Sequence, residues 1–123
     1  MIRIEFRKVN LNDSLEKLVE FFQNNVDTNY ISYADIHPWN RALDYSTWSP
    51  DLDKILHKEL VDIVSGTSSG QIAYCGFSDE KLISLAIVSI EGKIGHIEDI
   101  VVSRDSRGNN IGSRFLEFIS CEL

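Results

Sequence analysis

The residues of this 123-residue chain best suited to chemistry lie close together between His96 and Ser113. First come His96, Glu98 and Asp99, an imidazole and two carboxylates able to take a proton from an attacking nucleophile. The apolar run Ile100, Val101, Val102 follows, then a polar loop with Arg107, Gly108, Asn109 and Asn110, then Ile111, Gly112 and Ser113 opening a helical pattern. A strand that feeds a glycine-bearing turn and then a helix N-terminus presents a row of free backbone N–H groups. Such a row binds phosphate oxygens, because unpaired donors and the helix dipole both favour an anion there. A nucleoside-triphosphate loop is disfavoured, since no Gly-Lys-Ser/Thr closes the motif.

The same stretch closely resembles the acetyl-CoA-binding motif of the GCN5-related N-acetyltransferases (GNAT), Arg/Gln-x-x-Gly-x-Gly/Ala. Arg107, Asn110 and Gly112 match it, with asparagine in place of the central glycine. Asparagine is the residue after glycine most tolerant of a left-handed backbone, so the loop can keep its shape. The run His-Ile-Glu-Asp-Ile-Val-Val before Arg-Gly-x-x-Ile-Gly is especially similar to the glucosamine-6-phosphate branch of the family. The resemblance implies that Arg107 through Ser113 hold the pyrophosphate of acetyl-CoA through backbone amides. It implies too that the backbone of Ile100, Val101 and Val102 pairs with the pantetheine arm and polarises the acetyl carbonyl. Glu98 is then the favoured catalytic base and Asp99 the second; a cross-strand ion pair is an equally good reading of either acid, and a structural role is preferred for His96. Simple alternation puts His96 and Glu98 on one side of their strand and Asp99 on the other, unless a bulge intervenes.

A further group of side chains precedes these. Tyr30, Tyr33, Trp39 and Arg41, with His37, lie where the family's segment between the first two helices lines the acceptor pocket. Aromatics there could stack on a sugar or hold an amine by cation–π contact; a packed lid over the core is the alternative. His57, on the second helix, is expected to be exposed and carries no role.

The elements that must position these groups follow from the pattern of apolar residues. Ile2, Ile4 and Phe6 alternate with charged residues over 2–8, a half-buried strand. Asp13 and Glu16 make a start like a capping box, and Leu15, Leu18, Val19 and Phe22 continue at helical spacing to about Asn25. Residues 26–48 are irregular and aromatic, a length that implies a functional loop or short helical pieces. Ser49-Pro50 opens a second helix carrying Leu52, Leu56, Leu60 and Ile63, and Gly66 stops it. Three β-rich runs follow at 71–77, 82–91 and 94–103, joined by tight turns into antiparallel hairpins. A last helix begins near Ile111 with Phe115, Leu116 and Ile119 on one face.

The order β-α-α-β-β-β-α over a single domain, 1–123, is that of an α/β (α+β) acyl-CoA N-acyltransferase (GNAT) fold, a mixed, mostly antiparallel sheet with flanking helices. By that resemblance the chain stops before the fifth strand and last helix, where the family's general-acid tyrosine usually sits. A truncated chain, a site completed by a second chain and a divergent member are the three explanations. A bare edge of the fourth strand predicts a homo-oligomer, most simply a dimer.

Composition narrows the remaining classes. A net charge of −7 lacks the basic footprint that nucleic acid requires and is compatible with a cationic amine. No apolar run approaches the roughly 20 residues that span a bilayer, and the N-terminus is unlike a signal peptide, so a cytoplasmic protein is expected. Cys75 and Cys121 lack metal or redox spacing and read as buried free thiols; no metal is expected. The combined expectation is direct acetyl transfer from acetyl-CoA to the primary amine of a small molecule, within a ternary complex. Glucosamine 6-phosphate is the first acceptor and an aminoglycoside the next. The alternatives are a non-catalytic acetyl-CoA sensor or regulatory module, and an inactive fragment.

Overall fold

A computed structural model describes residues 3–108 and 110–123. Ile2 and Asn109, each included in an expectation above, lie outside the described residues. A four-stranded antiparallel sheet in the order β1-β4-β5-β6 carries helices on both faces. Its strands are β1 (Ile4–Lys8), β4 (Gln71–Ser78), β5 (Lys81–Glu91) and β6 (Ile94–Val102). The hairpin turns fall at Asp79-Glu80 and Gly92-Lys93. Asp79 and Glu80 both take positive φ there, the backbone that a two-residue hairpin of matching twist needs.

Helices α1 (Leu15–Asn25) and α3 (Leu52–Ser65) cover one face. Their apolar stripes, with Phe22, Leu56 and Leu60 buried, pack on Ala73, Cys75, Leu85, Ile87 and Val101 of the sheet. Helix α4 (Ile111–Glu122) covers the other, burying Phe115 and Ile119 against Tyr74, Ala86 and Val88. Phe115 stacks on Phe6 with ring centroids 5.1 Å apart. The alternation of β4 and β5 thus serves two cores, which is why β5 reads as a continuous apolar run.

Three local expectations are corrected. Ser14, not Asp13, caps α1, accepting from the Lys17 N–H; Asp13 instead takes a bidentate pair of bonds from Arg7, at 2.6 and 2.8 Å. Ser49 accepts from the Asp51 N–H and Pro50 precedes the helix, so α3 starts at Leu52 after Asp51. Cys75 is buried, but Cys121 lies on the outer side of α4 and is exposed. Gly66 ends α3 in the left-handed conformation, as its place in the sequence implies.

Residues 26–48 fold into short pieces rather than an open loop. A 3-10 turn at Thr28–Tyr30 leads to the four-residue α2 (Tyr33–Ile36) and a small hairpin of β2 (Ala42–Asp44) and β3 (Thr47–Trp48). Ser32 and Asp35 form a reciprocal capping box on α2.

Candidate functional site

The β6 strand carries the feature on which the site turns. Its register against β5 shifts between Ile87 and Val88: Asp99 faces Ile87 and Ile97 faces Val88, so Glu98 is an extra residue, a β-bulge. The bulge breaks the alternation expected of a plain strand. Asp99 lies opposite Ile87 on the α1/α3 face, and Glu98 reaches Gln71, which shares that face with Ala73. Glu98 and Asp99 therefore project to the same side, and so does His96, the partner of Ser89 and through it of Gln71.

The two acids meet different surroundings. Glu98 is half-buried and accepts from the Gln71 Nε2 at 2.8 Å, which leaves its other oxygen for a proton. Asp99 is 3% exposed. Its Oδ1 accepts from Arg41 Nη1 at 2.8 Å and from the Tyr30 hydroxyl at 3.0 Å, while its Oδ2 is buried without a partner among the described residues.

Arg41 is the centre of this cluster and is fully buried. Nη1 also reaches Asp35 Oδ1 at 3.3 Å, and Nε and Nη2 fork onto the Glu59 carboxylate, with Nε to Oε2 at 2.9 Å. The guanidinium lies over the Trp39 ring, 4.6 Å from its centroid. Burial alone would lower its pKa, but its bonds to Glu59 and the charge of Asp99 outweigh that and raise it, so Arg41 stays charged. Arg41 joins α2, α3 and β6 from inside through four of its five N–H groups. Where an acceptor-pocket side chain was expected, Arg41 is a fully buried group paired with three carboxylates, which is the arrangement of a structural tie.

The aromatic residues divide as well. Tyr33 is largely exposed, with His37 edge-on beside it, and Trp39 is half-buried over Arg41. Tyr30 is packed among Phe22 and Trp48. Its hydroxyl also accepts from the Ile100 N–H at 3.3 Å. Burial, then the charge and hydrogen bond of Asp99, push its pKa up, so the phenol keeps its proton.

Beyond the bulge, Ile100, Val101 and Val102 form one wall of a groove of about 430 Å³, and the loop and first turn of α4 form the other. Tyr30, Arg107, Gly108, Asn110, Ile111, Gly112 and Ser113 also line it. The motif residues described here are thus brought to one place. Asn110 is the N-cap of α4 and takes φ 60° and ψ 19°, the left-handed region that asparagine tolerates. Its side chain makes no capping bond, so among the described residues no N-cap side chain takes up the first N–H groups of α4. Gly108 takes φ 91°, and a Cβ at Gly112 would meet nothing nearer than Val102 Cγ2 at 3.8 Å. The Arg107 guanidinium turns away to the Asn25 carbonyl at 2.8 Å, and the Asn25 side chain accepts from the Arg104 N–H. Arg107 therefore holds the loop to the end of α1, where the helix dipole favours a cation.

Sequence reasoning missed Asn25, Gln71, Asp35 and Glu59. The Ser32-x-x-Asp35 spacing was a usable signal for a helix cap; nothing local marked the other three. Among the described residues no group of three or more His, Cys, Asp or Glu side chains could hold a metal ion, and no helix is long and apolar enough to cross a membrane.

Comparison with known proteins bears on the family and the fold. A sequence model of the acetyltransferase (GNAT) family matches residues 33–120. Glucosamine 6-phosphate N-acetyltransferase 1 of Dictyostelium discoideum is 57% identical over 30 residues, 24% of this chain and 19% of that protein. The PaiA N-acetyltransferase of Thermoplasma acidophilum, solved with coenzyme A, superposes with a TM-score of 0.64 at 23% identity, covering 96% of this chain and 70% of that one. A predicted acetyltransferase from Clostridium acetobutylicum, solved with acetyl-CoA, gives 0.65 at 16% identity, covering 98% and 73%. The structural likenesses are to the fold, and the chain spans about a fifth of the curated relative.

Proposed function

The chain belongs to the acetyltransferase (GNAT) family, and from that premise we propose that it binds acetyl-CoA between β6 and α4 and acetylates a primary amine. The observation that carries this reading is the groove itself. An uncapped helix N-terminus behind a left-handed Asn110 faces the edge of a bulged strand that offers backbone groups to a ligand. Gly108, Asn110, Ile111, Gly112 and Ser113 would receive the pyrophosphate on backbone amides, and Ile100 to Val102 the pantetheine arm. We keep Asn109 with them as expected from the motif.

Attack on a thioester needs an uncharged amine, so a base must take a proton from it. Glu98 suits that role, being half-buried and held by a single bond from Gln71. Asp99 suits it less: Arg41 and Tyr30 both hold its Oδ1 in the interior. Tyr33 and Trp39 are the side chains left to contact the acceptor. Transfer is direct: Cys75 is buried, burial pushes its thiol up to about 12, and it lines no part of the groove. Glucosamine 6-phosphate is the first acceptor to try, on the strength of the short match to that enzyme, and an aminoglycoside the next. Two free cysteines fit a reducing, cytoplasmic setting, and the free edge of β6 fits a homodimer.

Calorimetric titration with acetyl-CoA, followed by thiol release with glucosamine 6-phosphate, tests the proposal. Binding in the micromolar range with acceptor-dependent thiol release is expected. A folded protein that binds neither acetyl-CoA nor CoA would overturn it.

A further inference from the structure

Tyr30 is placed for a role other than acceptor stacking. Its ring is packed edge-on to Phe22 at 5.6 Å and against Trp48 at 6.3 Å, so what it offers the groove is its hydroxyl. That hydroxyl sits at the bare edge of β6. The Ser103 N–H bonds to the Ile83 carbonyl of the β5 side, and by the alternation of an antiparallel ladder the Ile100 N–H points the opposite way, out to the edge. There it meets Tyr30 Oη at 3.3 Å, a long bond that a better acceptor displaces. The Tyr30 proton meanwhile goes to Asp99 Oδ1, which Arg41 already holds at 2.8 Å. Tyr30 thus has a donor that its present partner can release.

We propose that the Tyr30 hydroxyl is a second hydrogen-bond donor to the carbonyl oxygen of the acyl thioester, beside the Ile100 N–H. This rests on the acetyl-CoA reading above. An oxygen that replaces Tyr30 as acceptor of the Ile100 N–H lies within reach of the Tyr30 O–H, turned from Asp99. In the reaction the amine lone pair forms the C–N bond while the carbonyl π pair moves onto that oxygen. The two donors are strongest when the oxygen is charged. The pair then returns to carbon, the C–S bond breaks with its electrons on sulfur, and the amine proton passes to a base. Tyr30 keeps its own proton throughout.

Affinity for acetyl-CoA and for CoA, measured calorimetrically on the wild type and on Tyr30→Phe, isolates the acetyl oxygen. The expected result is that Tyr30→Phe weakens acetyl-CoA by about fivefold, the worth of one neutral hydrogen bond, and leaves CoA unchanged. An equal effect on both ligands, or none, would overturn the assignment and leave the groove reading standing. A wild type that binds neither ligand removes both. Infrared spectra of ¹³C-acetyl-CoA give a readout that needs no variant. The carbonyl band must fall in frequency on binding to the wild type, and by less on Tyr30→Phe; an unshifted band on the wild type would sink the proposal.

Discussion

At the scale of single residues, the molecule depends most on Arg41. One guanidinium forks onto Glu59 and bonds Asp35 and Asp99, and two of these partners, Glu59 and Asp99, lie 18 and 58 residues away in sequence. That is why its type and its aromatic neighbours suggested a ligand contact when the fold makes it a tie. Removing it leaves buried carboxylates without a counter-charge, so Arg41→Ala should cost about 3–5 kcal/mol in urea unfolding. Arg41→Lys should rescue little, because an ammonium cannot reproduce the fork. Arg7 and Asp13 provide a milder and pH-dependent case. The hydrogen bonds from Arg7 hold the Asp13 carboxyl below its ordinary value, despite an opposing contribution from burial. A depressed folded-state pKa contributes stability above the unfolded value and loses it as pH falls through the folded one. Asp13→Asn should therefore cost about 0.5–1 kcal/mol near neutrality, a modest figure because Arg7 is a third exposed. The difference from wild type should vanish in acid, below the ordinary carboxylate range. A penalty that persisted there would mean the backbone bond from Asn10, not the charge pair, is what Asp13 supplies.

At the scale of elements, what was legible in the sequence was whatever repeats with a local period. The alternation of β1, the stripes of α1, α3 and α4, and the turns of the two hairpins all follow from neighbours in the chain. The bulge at Glu98 was not legible, because an extra residue in one strand shows only against its partner strand. It shapes the proposed site all the same, by turning Glu98 and Asp99 to one face. Helix starts were legible only to within two residues, since Asp13, Ser14, Ser49 and Asp51 are all competent caps and tertiary partners choose among them. The start of α4 was the most legible, and it carries its own prediction. Gly112 sits in the first turn, where an added Cβ would make only ordinary van der Waals contact, with Val102 Cγ2 at 3.8 Å. Gly112→Val should keep or slightly raise helix stability, by up to ~0.5 kcal/mol, since valine is the better helix former. It should abolish acetyl-CoA binding, because the branched side chain fills the place proposed for a phosphate. Thermal unfolding and calorimetry read the two effects separately, and a variant that is stable and still binds would remove the pyrophosphate from this turn.

At the scale of the whole molecule, the sheet ends on β6 among the described residues, and that edge is where the fold, the groove and the expected dimer meet. Toward its C-terminal end the edge offers the groove of Ile100 to Val102; toward its N-terminal end it exposes Ile94 and Ile97, 61% and 42% accessible. Leu123 at the end of α4 is also exposed and reaches Gly95, so the apolar surface runs from strand to helix. Ile97 pairs with Val88 and so lies on the α4 face, away from Glu98 and Asp99. An apolar edge strand of this kind invites a second copy, and a charge placed on it is how sheets keep partners off. If two chains pair through this half of β6, Ile97→Lys should yield a folded monomer by sedimentation at concentrations where the wild type is a dimer. Acetyl-CoA affinity should be unchanged, because the groove lies on the other half of the strand. A monomeric wild type would remove the dimer altogether. A variant that became monomeric and also lost the cofactor would show instead that the two halves of the edge act as one surface, with each site completed only in the pair.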